Sequence, residues 1–275
     1  MIKDITIGQY YKANSLFHRS DPRIKLLLTI SFIVVIFICK NFYSLSVMFA
    51  LTFASMLVSK VPLKMFFKSM KPIIPLILFT AVLNIFYTTG GEVLISFWKI
   101  TIRDKALFTA GFIAIRIFCL IIISSLLTYT TTPTMLTDGI EKLLKPLDFI
   151  LKPFNFRVHT LAMMMTLALR FIPTLIEEID KIMNAQKARG ADLESGGIMQ
   201  RAKALVPIII PLFVSSFRRA YELAFAMDCR CYTGGDGRTR MKKMKFTLCD
   251  LWVSLVFVIA FAGIIFLNIK FVSVI

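Results

Sequence analysis

An all-helical protein that crosses a membrane several times is the fold class this sequence predicts, on three observations. Of 275 residues, 57% are hydrophobic and 26 are Phe. The apolar residues gather in runs of roughly 15 to 24, near the ~20 needed to cross a hydrocarbon core. Lys and Arg number 33 against 16 Asp and Glu, a formal charge of +17, and concentrate between the runs. Soluble nucleic-acid binders share the charge but not the runs, so no nucleic-acid partner is expected. Basic loops orient a membrane chain and meet anionic lipid headgroups.

About five spans are predicted. The first covers Ile24 to Ile38, opened by Asp21 as N-cap and by Pro22, whose missing N–H has no partner at a first helical position. The others cover Phe42 to Ser59, Pro72 to about Thr88, Ala106 to Tyr129, and Leu248 to Leu267. The N-terminal arm has no apolar core before a small-residue cleavage site, so it is expected to be retained. Its Lys3, Lys12, Arg19 and Arg23, with Lys60, Lys64, Lys68 and Lys71 between the second and third spans, mark the cytoplasmic side. Alternation then leaves the C-terminus external. Three regions are expected: 1–129 with four spans, 130–247 cytoplasmic, and 248–275 with the last span.

The middle region is too long for a loop without structure of its own. It opens with a short amphipathic helix around Met135 to Leu147. A long helix follows from Val158 to Ala188, with Leu161, Met164, Met165, Ala168, Phe171, Ile172 and Leu175 on the i, i+3, i+4 stripe of one apolar face. A second runs from Ile198 to Cys229, with an unbroken apolar stretch from Ala204 to Val214 that includes Ile208, Ile209, Leu212 and Phe213.

The two long helices end alike. Ala188-Arg189-Gly190 closes one and Cys229-Arg230-Cys231 the other, with Glu177-Glu178 and Arg218-Arg219 at matching distances upstream. Two explanations stand. An Arg at a helix C-terminus is favoured by the macrodipole, and Gly190 suits the left-handed turn, so ordinary capping suffices. Alternatively, each tip presents a guanidinium fork to carboxylates of a soluble partner.

Cys229-x-Cys231 lacks the further ligands of a zinc site, since His18 and His159 are remote in sequence. No metal or cofactor is expected in this chain. Arg116, inside the fourth apolar run, either snorkels to the external boundary or serves a transport path. No phosphate-binding loop, nucleophile elbow or intramembrane carboxylate pair occurs, which argues against an enzyme and a secondary transporter.

The stretches HRSDPRIKLL, SLLTYTTTPTMLTDGIEKLLKPL, LALRFIPTLIEEIDKIMNAQKARGAD, QRAKALVPIIIPLFVSSFRRAYELAFAM and GGDGRTR closely resemble the EcfT family, the transmembrane coupling components of energy-coupling factor (ECF) transporters. The resemblance implies a non-catalytic subunit between two ABC-type ATPases (EcfA and EcfA′) and a substrate-binding membrane S-component for a vitamin or trace nutrient. ATP and Mg would be bound by the ATPases. Two Ala-Arg-Gly tips dock on those ATPases in the family. The first falls on Ala188, Arg189 and Gly190 unchanged. The second falls on Cys229, Arg230 and Cys231, which keeps only the Arg, and Gly234-Gly235 is the expected source of its turn. The resemblance places S-component contact on the apolar helix faces, at Met164, Met165, Ile208, Ile209, Leu212 and Phe213.

Overall fold

In a computed structural model the described residues are 10–87, 93–97, 100–147, 158–191, 197–233 and 246–270. They are helical apart from loops and one antiparallel hairpin, β1 (Val93–Phe97) with β2 (Ile100–Arg103). That hairpin and a short helix, Leu63–Met70, lie where the sequence reading had only loops. The described residues form two compact units, one from 10–140 with 246–270 and one from 141–233.

The first unit holds α1 (Leu16–Arg19), α2 (Pro22–Ile38), α3 (Phe42–Val58), α4 (Leu63–Met70), α5 (Ile74–Tyr87), α6 (Asp104–Thr130), the start of α7 (Pro133–Leu144) and α10 (Leu248–Lys270). Its core is a column of Phe32, Ile36, Leu45, Met48, Phe112 and Ile264, all nearly inaccessible. Phe112 receives the edge of Phe42 at 5.4 Å between centroids. Outward-facing apolar side chains such as Leu78, Phe79, Trp252 and Ile259 remain exposed, as helices surrounded by lipid require.

Polar contacts fix both ends of this bundle. At one end Asp21 caps α2, accepting from the Arg23 N–H at 3.1 Å, and its own N–H donates to Asp250 at 2.7 Å. Asp250 also accepts from the N–H and hydroxyl of Thr247, both at 2.8 Å, so one carboxylate joins the N-termini of α2 and α10. Carboxylates are favoured there because the first N–H groups of a helix have no partners inside it. Lys25 reaches the Thr130 carbonyl at 3.0 Å and thereby ties α2 to the end of α6. Tyr129 bonds the Met65 carbonyl at 3.2 Å and the Ser69 hydroxyl, which holds α4 at this same end.

At the other end the C-terminal carbonyls of α2 are closed from two sides. Asn268 donates to Ile38, at 3.0 Å, and Arg116 donates to Cys39, at 2.6 Å. The Arg116 guanidinium stacks 4.8 Å above the Phe112 ring. A cation at a helix C-terminus meets the negative end of the dipole, and the aromatic face shields it from lipid. Arg116 therefore acts as a helix closure at the level of the α2–α3 turn.

Among the described residues four helices are long and apolar enough to cross a membrane, or up to five if the α4–α5 pair, bent by 54°, counts as one. Beside α6 and α10 the four include the two long amphipathic helices described below, which are less apolar. Helices α2 and α3 have 17 residues each, at the short limit for a span.

Candidate functional site

The second unit is built on α8 (Val158–Ala188) and α9 (Ile198–Asp228), each of 31 residues. They run antiparallel. Glu178, in the middle of α8, pairs with Arg219 of α9 at 2.7 Å and accepts from the Ser215 hydroxyl. Met163, early in α8, receives the Tyr232 hydroxyl from beyond the end of α9 at 2.8 Å. Before them the end of α7 contributes Glu141, which meets His159 at 3.0 Å.

Both helices finish in the same hydrogen-bonded turn. At the end of α8 the Ala191 N–H bonds the Gln186 carbonyl and the Gly190 N–H bonds the Lys187 carbonyl, each at 3.0 Å. This is a Schellman motif with Arg189 as the last half-helical residue and Gly190 left-handed, at φ 84°. At the end of α9 the Tyr232 N–H bonds the Met227 carbonyl at 3.1 Å and the Cys231 N–H bonds the Asp228 carbonyl at 2.9 Å. Cys231 takes the glycine's place at φ 54°. The turn expected from Gly234-Gly235 is thus made by Cys231 itself, and those glycines lie outside the described residues. Termination is set by the carbonyls that must be satisfied, and a non-glycine residue accepts the strained conformation to satisfy them.

Arg189 and Arg230 occupy equivalent positions in the two turns. Both are exposed, as are Ala188, Gly190, Cys229 and Cys231. The constant offset of 41 residues that relates Arg189 to Arg230 also relates Glu178 to Arg219, so the ion pair joins equivalent points of two similar helices. Each tip lies eleven residues beyond that pair, in opposite directions. At 1.5 Å per residue the tips stand roughly 30 Å apart.

Of the apolar positions singled out in the sequence, Met164, Met165, Ile209 and Phe213 are exposed and Leu212 is half-buried. Ile208 is only 4% exposed and packs within the chain, so it does not share the open face. That face continues past the positions named from sequence. Ile210, Phe217, Tyr221 and Phe225 all remain exposed, with Tyr221 at 77%. With Phe213 between the first two, their three- and four-residue spacing was legible, but the charged Arg218, Arg219 and Glu222 among them interrupt the apolar run. Among the described residues no three His, Cys, Asp or Glu gather as metal ligands, so Cys229 and Cys231 have no third donor there.

Helices of membrane length mark an integral membrane protein, and the two exposed arginine tips give it a candidate docking surface. The chain matches the family described as CbiQ, cobalt transport protein, over residues 13–242. It is 56% identical over 256 residues to the energy-coupling factor transporter transmembrane protein EcfT of Clostridium kluyveri, covering 93% of each chain. The proteins of the same name from Ruminiclostridium cellulolyticum and Bacillus subtilis are 47% and 42% identical, with 98% of this chain and 100% of each relative covered. The chain belongs to the family of energy-coupling factor transporter transmembrane proteins, EcfT.

Proposed function

We propose that this chain is the non-catalytic coupling subunit of its transporter, passing ATP-driven motion from two cytoplasmic ATPases to a membrane subunit that binds a vitamin or trace nutrient. The observation that carries the reading is the pair of matched tips. Arg189 and Arg230 sit in equivalent turns, exposed, at opposite ends of an antiparallel helix pair. Neither guanidinium bonds another described residue, so both forks are available to carboxylates on a partner. A spacing of roughly 30 Å suits two separate soluble subunits. Nucleotide and Mg would reside in those subunits.

The open face of α8 and α9, through Met164, Met165, Ile209, Leu212 and Phe213, would meet the substrate-binding subunit. Exposed Met and aromatic side chains adapt to a moving apolar partner. When the ATPases change their separation, the anchored helices shift as rigid bodies and repack that contact.

Co-purification of the ATPases with Arg189→Ala, Arg230→Ala and the double variant tests this. Truncating a charge-paired interface Arg costs about 2–5 kcal/mol, so each single variant weakens capture and the double variant loses it together with uptake. Membrane insertion should be unaffected. Wild-type uptake by the double variant, with ATPases bound, would refute the role.

A further inference from the structure

We propose that α4 is an interfacial helix whose lysine row binds the headgroups of anionic phospholipids. Between Asp21 and Glu92 the sequence contains no Asp or Glu, yet Lys60, Lys64, Lys68 and Lys71 follow one another at intervals of three or four. At 100° per residue Lys64, Lys68 and Lys71 fall within one narrow sector of α4. All four lysines are exposed, and none forms an ion pair or hydrogen bond with a described side chain. The positive row therefore has no counter-charge among the described residues.

The rest of α4 fits a bilayer boundary. Phe66 is 2% exposed and anchors the helix through the edge of Tyr129, 5.5 Å between centroids. Tyr129 also bonds the Met65 carbonyl, so the helix is held from two directions. Leu63 and Phe67 are exposed immediately beside the lysine row, with Phe67 67% open. An exposed aromatic and aliphatic strip flanked by lysines is the pattern of a helix lying in the headgroup layer, apolar side down and ammonium groups outward.

The backbone places it there. Lys60 adopts a left-handed conformation (φ 55°) at the end of α3, and α4 then meets α5 at a bend of 54°. As part of a span, α4 would carry Lys64 and Lys68 into hydrocarbon, with Lys71 just past its end, at about 2.5–3.5 kcal/mol each near the centre. The bend avoids that. An acidic protein partner would satisfy the charges but not the exposed Leu63 and Phe67, whereas an anionic lipid satisfies both with headgroup and acyl chain. Each lysine near an anionic surface strengthens such binding several-fold.

The test reads lipid at this helix directly. Trp98 and Trp252 are replaced by Phe, Phe67→Trp provides a single fluorophore, and the full chain is placed in bilayers of phosphatidylcholine. Quenching by brominated phosphatidylglycerol is compared with quenching by brominated phosphatidylcholine. The expected result is a preference for phosphatidylglycerol of about fivefold or more. It should vanish in the triple variant Lys64→Gln, Lys68→Gln, Lys71→Gln and persist when the same lysines become Arg. Raising salt should compress it with the lysines intact, which needs no variant to insert correctly. Equal quenching by both lipids, quenching by neither, or a preference that survives the glutamine variant would overturn the proposal.

Discussion

Cys231 holds a backbone conformation that favours glycine, and it does so to keep a second tip identical in hydrogen bonding to the first. Left-handed backbone costs a side-chain-bearing residue about 1–2 kcal/mol. Cys231→Gly should therefore firm the α9 turn, seen as roughly fivefold slower hydrogen exchange at the Tyr232 amide. Gly190→Ala should loosen the α8 turn by a similar factor, measured at the Ala191 amide. A Cβ there meets nothing within 4 Å, so the penalty is the φ of 84° alone. His18 offers a second test at this scale. Its ring meets the Ser15 hydroxyl at 2.7 Å and the Tyr11 carbonyl at 2.8 Å. Burial pushes its pKa below 6.5, aided by the Lys25 charge, while the bond to the Tyr11 carbonyl opposes the shift. The unfolded chain then binds the proton more readily than the fold. The stability this gives is present above pH 6.5 and is lost as pH falls through the lowered folded value. Thermal unfolding between pH 8 and 5 should show a fall in Tm that His18→Asn reduces.

The elements themselves were largely legible. Val158 to Ala188 is the α8 helix as read from periodicity, and the run from Ala106 to Tyr129 extends only to Asp104 and Thr130. What the sequence concealed was pairing across long separations. Arg116 could be read as a snorkelling residue or a transport residue, since nothing nearby in sequence names Cys39 as its acceptor. Asp250 joins α2 to α10 through Asp21, and no local pattern announces it. Helix α4 was hidden for a different reason. Eight residues make little more than two turns, too short for an apolar period to declare a helix, although the lysine spacing was visible. In the second unit the decisive pairing is Glu178 with Arg219. Spin labels at Lys187 and Asp228, in a chain freed of its cysteines, should report one distance of roughly 30 Å. Glu178→Ala removes the half-buried bridge and should broaden that distribution. The reversal Glu178→Arg with Arg219→Glu should restore a single distance if the pair sets the helix alignment.

At the scale of the membrane unit, the directions of the helices constrain one another. Asp21 and Asp250 put the starts of α2 and α10 at one end, while Asn268 and Arg116 close the other. Lys25 and Tyr129 bring the end of α6 to the first of these ends, together with α4. Fixing any one helix in the bilayer therefore fixes them all. Charge selects between the two orientations. The end that holds α1 and α4 carries Lys12, Arg19, Arg23, Lys64, Lys68 and Lys71, whereas Lys40, Lys105 and Lys270 mark the opposite end. By the positive-inside rule the first end is expected in the cytoplasm. The chain leaves this unit along α7 and re-enters it at Thr247, both at the basic end, and the ATPase docking proposed above requires Arg189 and Arg230 in the cytoplasm. Single cysteines at Ala188 and Lys40, in a chain freed of Cys39, Cys119, Cys229, Cys231 and Cys249, read the orientation directly. An impermeant thiol reagent applied to intact cells should label position 40 and spare position 188 until the membrane is opened. Labelling at 188 from outside, with 40 protected, would invert every span at once and remove the tips from the compartment that holds ATP.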